Sequence, residues 1–392
     1  MVEALARGFT LEQVFATDPG YGFGAGGSDR LAATAAASGP SGPTGVIAGA
    51  VLQLARRSAS LSQEALAERL QVSLDTLQGW ESGRRRLPAT RVEALVDVRH
   101  ELAAAGADHQ AVAALEPALA ADWLLGRTLE ADGRPHPLAG LVTTRQVHDL
   151  LVWALTGRQP SWLPGGAGNG TGNGRPGLAV PERRAVFARL RDLAEGADGR
   201  RQDGAQLRRQ AAFLAAYDPA ADTAAWLAHL PAANPRPGEW SPEWVAARSR
   251  AVTEAARGNP DLLRWFIDHR LAGNDQLERA QLAWNAAYYG ELPGPQRSEA
   301  FMVGELPAWR GDRLLGWLAG RLDPACGYVD LIAHELWALL AGRHYLATEP
   351  AAAGLANRVE VLAAADVLSD RSRRELGEVA YLLRALNPKG DR

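Results

Sequence analysis

Apolar residues recur along this chain every three to four positions, and turns containing Gly or Pro interrupt them at short intervals. Val51 and Leu54, Leu66 and Leu70, Leu74 and Leu77, then Val92, Leu95 and Val98 mark the first such stripes. That spacing is the helical period. No run alternates apolar and polar residues with the period of two that a half-buried strand needs. The chain is therefore read as all-α, built from short helices that each bury one stripe. Further stripes follow at Val186, Leu190 and Leu193, at Leu262, Phe266 and Ile267, and at Leu331, Leu336 and Leu339. About nine or ten helices are expected between Glu182 and Asn387.

With 392 residues, the chain has room for more than one domain of ~100–200 residues. Residues 1–44 are expected to be disordered. Pro19–Thr44 is mostly Gly, Ala, Ser and Pro, and buries too little apolar surface to offset ordering. A short helix at Leu11–Phe15 is the exception there. Residues 45–103 read as a compact domain of short helices. Residues 104–162 read as a helical extension, with Leu115, Leu119, Trp123 and Leu124 on one stripe of Ala111–Glu130, and a further helix over Thr143–Thr156. Residues 163–182 read as a linker, because Pro164–Pro181 runs PGGAGNGTGNGRPGLAVP. Residues 183–392 read as a larger helical domain for sensing, partner contacts or oligomerisation. It has a helical-repeat option, since Trp226 and Trp265 lie 39 residues apart.

Composition removes several classes. No apolar run reaches the ~18 residues of a membrane-spanning helix. Met1–Pro19 lacks the apolar segment of a secretory signal. Cys326 is the single cysteine, so neither an internal disulfide nor a cysteine-paired zinc site can form. A cytoplasmic address and no membrane partner are expected. Lys389 is the one lysine among 42 basic side chains; the skew to arginine and alanine fits a high-GC bacterial genome. The net charge of −3 carries no nucleic-acid signal, so any basic surface must be local.

Leu52–Arg99 is the informative stretch. Ser62 stands where a cap belongs for a helix Gln63–Leu70, and Ser73 for a helix Leu74–Ser82. Capped helix starts present amides that suit a phosphate. Gly83 suits a left-handed helix end. Arg84, Arg85 and Arg86 follow in a loop, placed to neutralise phosphates or to stand as a solvated charge run. Leu52/Ala55/Arg56, Leu61/Ser62/Gln63/Leu66/Ala67, Val72/Ser73, Trp80/Glu81/Gly83/Arg84/Arg85 and Pro88 keep one pattern of spacings. On these residues the stretch resembles the DNA-binding domain of the xenobiotic-response-element (XRE) family, which includes the lambdoid phage repressors.

The resemblance implies a helix-turn-helix with Leu74–Ser82 as the recognition helix in the major groove. It implies a partly buried ion pair of Arg56 with Glu81, structural in role. It places Gln63, Leu74, Asp75 and Gly79 at DNA-facing positions, with Ser73, Thr76 and Gln78 beside them. Gln63 can pair two-pronged with adenine, and Asp75 can accept from cytosine N4 or serve as plain helix N-terminal charge. The sequence departs from the family at Gln71, where glycine is usual and a strained backbone is expected, and at Gly79, which lacks a side chain mid-helix.

Gly45–Glu101 holds eight arginines against seven acidic residues, a net of about +1. The expectation is a homodimer on an inverted repeat of double-stranded DNA, with an effector, small molecule or protein, at the C-terminal domain. The alternative is an interaction scaffold whose helix-turn-helix only docks a partner. No catalytic triad, metal site or cofactor motif is read: His334 and His344 are ten residues apart, nearly three helical turns, and cannot share a metal alone. The protein is expected not to be an enzyme. The C-terminal tryptophans read as core, with Ala308–Arg321 and Tyr288-Tyr289 as the place to look for an aromatic-lined pocket.

Overall fold

The computed structural model describes residues 45–87, 92–130, 134–165, 176–199, 201–230, 236, 238–289, 291–292 and 308–386. The expected helix at Leu11–Phe15 and the glycine run 166–175 lie outside them. Among the described residues the fold is all-helical, as the periodicity implies. By its contacts the chain divides into two compact units, Met1–Asp192 with Tyr217–Pro219, and Leu193–Ala216 with Ala220–Arg392. No helix among the described residues is long and apolar enough to cross a membrane.

The first unit begins with α1 (Val46–Ser58), α2 (Gln63–Arg69) and α3 (Leu74–Glu81). The Oγ of Ser62 accepts from the Ala65 amide at 3.1 Å, and the Oγ of Ser73 from the Thr76 amide at 3.1 Å, so both expected caps form. The turn between α2 and α3 carries Gln71 at φ 53°, a left-handed conformation costly for a residue with a Cβ. The tight crossing of α1 on α3 falls at Gly49. A Cβ there would lie 2.2 Å from the Trp80 carbonyl oxygen, so only glycine lets the two backbones meet. Leu52, Leu66, Leu77 and Trp80 fill the space beneath.

Then come α4 (Val92–Ala104), α5 (His109–Ala113), α6 (Leu115–Leu129) and α7 (Arg145–Thr156). The stripe expected over Ala111–Glu130 is broken at Ala114 into α5 and α6. Pro117 in the first turn of α6 has no amide to give to the preceding turn, so the helix restarts there. α1 packs on α3, α5 and α6, and α6 on α7. α8 (Val180–Gly196) follows.

One contact organises this unit and was not legible in the sequence. Gly45 gives α1 no side-chain cap. Asp122 of α6 supplies one: its two carboxylate oxygens accept from the Ile47 amide at 3.0 Å and the Ala48 amide at 2.8 Å. Burial pushes its carboxyl up to about 7, against the pull of those amides and of Arg86.

The second unit holds α9 (Gln202–Ala215), α10 (Thr223–His229), α11 (Pro242–Ala256), α12 (Asp261–Phe266) and α13 (Asp275–Tyr288). α14 (Asp312–Arg321), α15 (Val329–Gly342), α16 (Leu355–Ala363) and α17 (Asp370–Leu386) complete it. One core gathers Leu314, Leu318, Leu336, Leu339, Leu376 and Val379 between α14, α15 and α17. Another gathers Trp244, Leu263, Phe266 and Leu277. Trp244 is buried as expected and donates its indole N–H to the Arg270 carbonyl at 2.8 Å. Trp265, by contrast, is 46% exposed and stacks on His269. α15 ends at Gly342, so His334 and His344 do not share a helix.

Two outcomes test these readings. Gln71→Gly removes the Cβ from a left-handed position and should raise the free energy of urea unfolding by about 1 kcal/mol; a loss of stability would show no strain there. Asp122 has a folded pKa above its unfolded one, so the folded state holds the extra proton between the two. Its contribution to stability is therefore present in acid and is lost as pH rises toward about 7. Asp122→Asn should flatten the pH dependence of the urea midpoint between these limits; parallel wild-type and variant curves would contradict it.

Candidate nucleic-acid interface

The α3 surface is built on a buried ion pair. Arg56 Nε donates to Glu81 Oε1 at 2.6 Å and Arg56 Nη2 to Oε2 at 3.0 Å, a two-pronged fork joining α1 to α3. Arg56 Nη1 also donates to the Leu61 carbonyl at 2.7 Å, fixing the loop before α2. Both side chains are nearly excluded from water. In that setting the pair holds its geometry, and either partner alone would be an uncompensated buried charge.

The pair does more than join helices. Gln63 Nε2 donates to Glu81 Oε2 at 2.6 Å, and Gln63 Oε1 accepts from Gln78 Nε2 at 3.4 Å. The fork thus orients Gln63, and Gln63 orients Gln78. An amide has two N–H donors and two carbonyl lone pairs, so Gln63 keeps one of each. Those are the groups that two-pronged adenine pairing uses.

At the start of α3 a second network spans the surface. Ser73 Oγ and Thr76 Oγ1 are 2.8 Å apart, so the capping hydroxyl also holds Thr76. Leu74, Asp75 and Gln78 are exposed along the outer face. Asp75 is clamped by two loop arginines: Arg84 Nη2 lies 2.6 Å from Oδ1 and Arg85 Nη2 2.8 Å from Oδ2. Arg85 Nη1 also reaches Thr76 Oγ1 at 3.4 Å. The Arg84 hydrogen bond, aided by the Arg85 charge, holds the Asp75 carboxyl below its ordinary value. Arg86 is exposed beside them and sits near enough to Asp122 to act on its titration.

Gly79 departs from the DNA-facing position that the resemblance implies. It is buried beneath Arg85, whose Cδ would lie 2.9 Å from an added Cβ. The missing side chain makes room for the arginine to fold back across the helix to Asp75. The signal was in the sequence as a glycine in the middle of a helix, which costs about 1 kcal/mol and so asks for a packing reason.

The interface as placed brings Gln63, Ser73, Leu74, Asp75, Thr76, Gln78, Arg84 and Arg85 together, with Arg86 next to them. Sequence reasoning missed Asp122, which anchors the start of α1 behind this surface; its only signal is a lone acid within the apolar run Ala118–Leu125.

The family described as a helix-turn-helix domain matches residues 47–113. The chain thus carries a helix-turn-helix domain over α1 to α5. α5 belongs with it physically: the Asp108 amide at its start donates to Ser58 Oγ of α1 at 2.8 Å. No curated protein and no solved structure matches the chain.

Glu81→Ala should strand Arg56 in the interior and cost about 3 kcal/mol in chemical unfolding. An effect near that of a surface ion pair, under about 1 kcal/mol, would show that the fork does not carry the domain.

Proposed function

We propose that the protein is a sequence-specific DNA-binding regulator of the XRE type, working as a homodimer in the cytoplasm and not as an enzyme. The observation that carries this reading is the α3 face. Two amides there, Gln63 and Gln78, are held in orientation by a buried ion pair, and the loop arginines Arg84 and Arg85 stand at the start of the same helix beside Asp75. Oriented amides suit base edges, and arginines in a loop suit the flanking phosphates.

The Asp75 clamp shapes how DNA is met. Arg84 and Arg85 are neutralised by one carboxylate in the free protein. Phosphates compete with Asp75 for the arginines, and release of Asp75 leaves an acceptor at the base-facing start of α3. With a domain charge near +1, one copy holds DNA weakly. Two copies on half-sites about one helical turn apart supply the occupancy. The helical C-terminal unit is then the place for dimer contacts or an effector.

A second reading has one observation behind it. Two of the three loop arginines are already paired, so a docking surface for a protein partner needs no phosphate. Pull-down of genomic fragments with the full-length protein separates the two: one enriched inverted repeat supports the regulator, and background recovery supports the scaffold.

Under the regulator reading, Arg84→Ala and Arg85→Ala each lower the salt slope of DNA binding by about one and weaken it evenly across sequences. Asp75→Asn tightens binding to unrelated DNA, and Gln63→Ala changes the preferred sequence. Unchanged salt slopes in both arginine variants would remove the phosphate assignment.

A further inference from the structure

In the second unit two helices bury polar residues alongside their apolar stripes. α9 buries Gln206, Arg209 and Gln210, spaced three and four residues apart, and α13 buries Gln281 and Asn285 with Trp284 between them. These are polar stripes at helical period, and they face inward. α9 packs on α11, and α13 on α15. From α11, the Arg248 guanidinium lies 4.8 Å over the Trp284 ring. From α9, Arg209 reaches the same ring at 5.8 Å. From α15, Glu335 accepts from Arg248 Nη2 at 3.4 Å and from Gln281 Nε2. Four helices thus bring polar groups to one place around Trp284.

Several individual polar atoms here have no hydrogen-bond partner among the described residues. Gln206 is 1% exposed, Gln281 2% and Asn285 2%. Yet both amide atoms of Gln206, Gln281 Oε1, Asn285 Nδ2 and Arg248 Nε have no hydrogen-bond partner among the described residues. A buried polar atom left unpaired costs on the order of 1–3 kcal/mol, and nearly all buried polar groups in folded proteins are paired. Three such atoms, on Gln281, Asn285 and Arg248, stand around Trp284 and Glu335 and call for an occupant.

We propose that this cluster is a binding site for a small molecule with an amide-type edge, a carbonyl beside an N–H, as in a lactam or a pyrimidine base. The unpaired set contains both donors and acceptors. Asn285 Nδ2 and Arg248 Nε answer a carbonyl; Gln281 Oε1 answers an N–H. Trp284 gives the cluster an aromatic face. The site adjoins the aromatic run that the sequence singles out: Trp284 stacks on Tyr288, Tyr288 meets Tyr289 edge-on, and Tyr289 stacks on Trp317 at 3.9 Å. The inference stands apart from the DNA reading, since it concerns binding to the second unit alone.

The test is saturation-transfer NMR on the full-length protein with 2-pyrrolidinone and uracil as separate probes at millimolar concentration. Transfer to at least one probe is expected in the wild type. Asn285→Asp and Asn285→Leu change the donor and acceptor set at nearly constant volume, and should weaken that binding about tenfold. A thermal melt identifies which variants fold, and the folded ones carry the comparison. If neither folds, displacement of one probe by the other in the wild type supports one shared site, and independent binding overturns it. Absence of transfer to both probes overturns the proposal and leaves ordered water as the occupant. Transfer undiminished in the folded variants overturns it as well, by placing the probes elsewhere.

Discussion

The two-pronged bond between Arg56 and Glu81 is the constraint on which the helix-turn-helix depends. It spans 25 residues of sequence and joins α1 to the helix that faces outward. Its second carboxylate oxygen is shared with Gln63, so the same group that stabilises the fold also aims the surface. A buried charge pair is an expensive way to hold two helices together compared with apolar packing. Its return here is direction: a carboxylate accepts at fixed angles, and a leucine in its place would leave Gln63 free to rotate.

The rest of the first unit supports that arrangement from behind. Asp122 caps α1 from a helix some 75 residues away, which locks the extension to the domain that carries the interface. Gly49 and Gly79 are the matching close approaches, one for a backbone and one for an arginine stem. The Arg85 stem then brings its charge over Asp75, and the exposed edge of α3 becomes a set of paired charges instead of a bare positive patch. That pairing explains how a domain of near-neutral charge can still offer arginines to a polyanion: exposed ion pairs are weak and exchange partners readily.

Legibility in the sequence followed the range of the interaction. The caps at Ser62 and Ser73 were plain because a cap is settled within three residues. The strained Gln71 was reachable through the resemblance, because the family usually has glycine at that turn. The Arg56–Glu81 pair was reachable only through family resemblance, since nothing in the spacing alone joins those two side chains. The Asp75 clamp was out of reach, because it depends on the path of the loop after α3. So was the interior of the second unit: a polar stripe such as Gln206, Arg209 and Gln210 looks like a solvated face until packing turns it inward.

From the order of its residues alone, this chain was bound to be helical, to carry short capped helices over its helix-turn-helix, and to place three arginines just beyond α3. Periodicity, capping and turn chemistry act over a few residues, and a single chain displays them directly. Only the tertiary structure decided what those arginines touch, where α1 finds its cap, why Gly79 has no side chain, and which polar faces lie inside. Each of these is a meeting of groups distant in sequence. Its free energy comes from desolvation and geometry that exist only once the helices have packed.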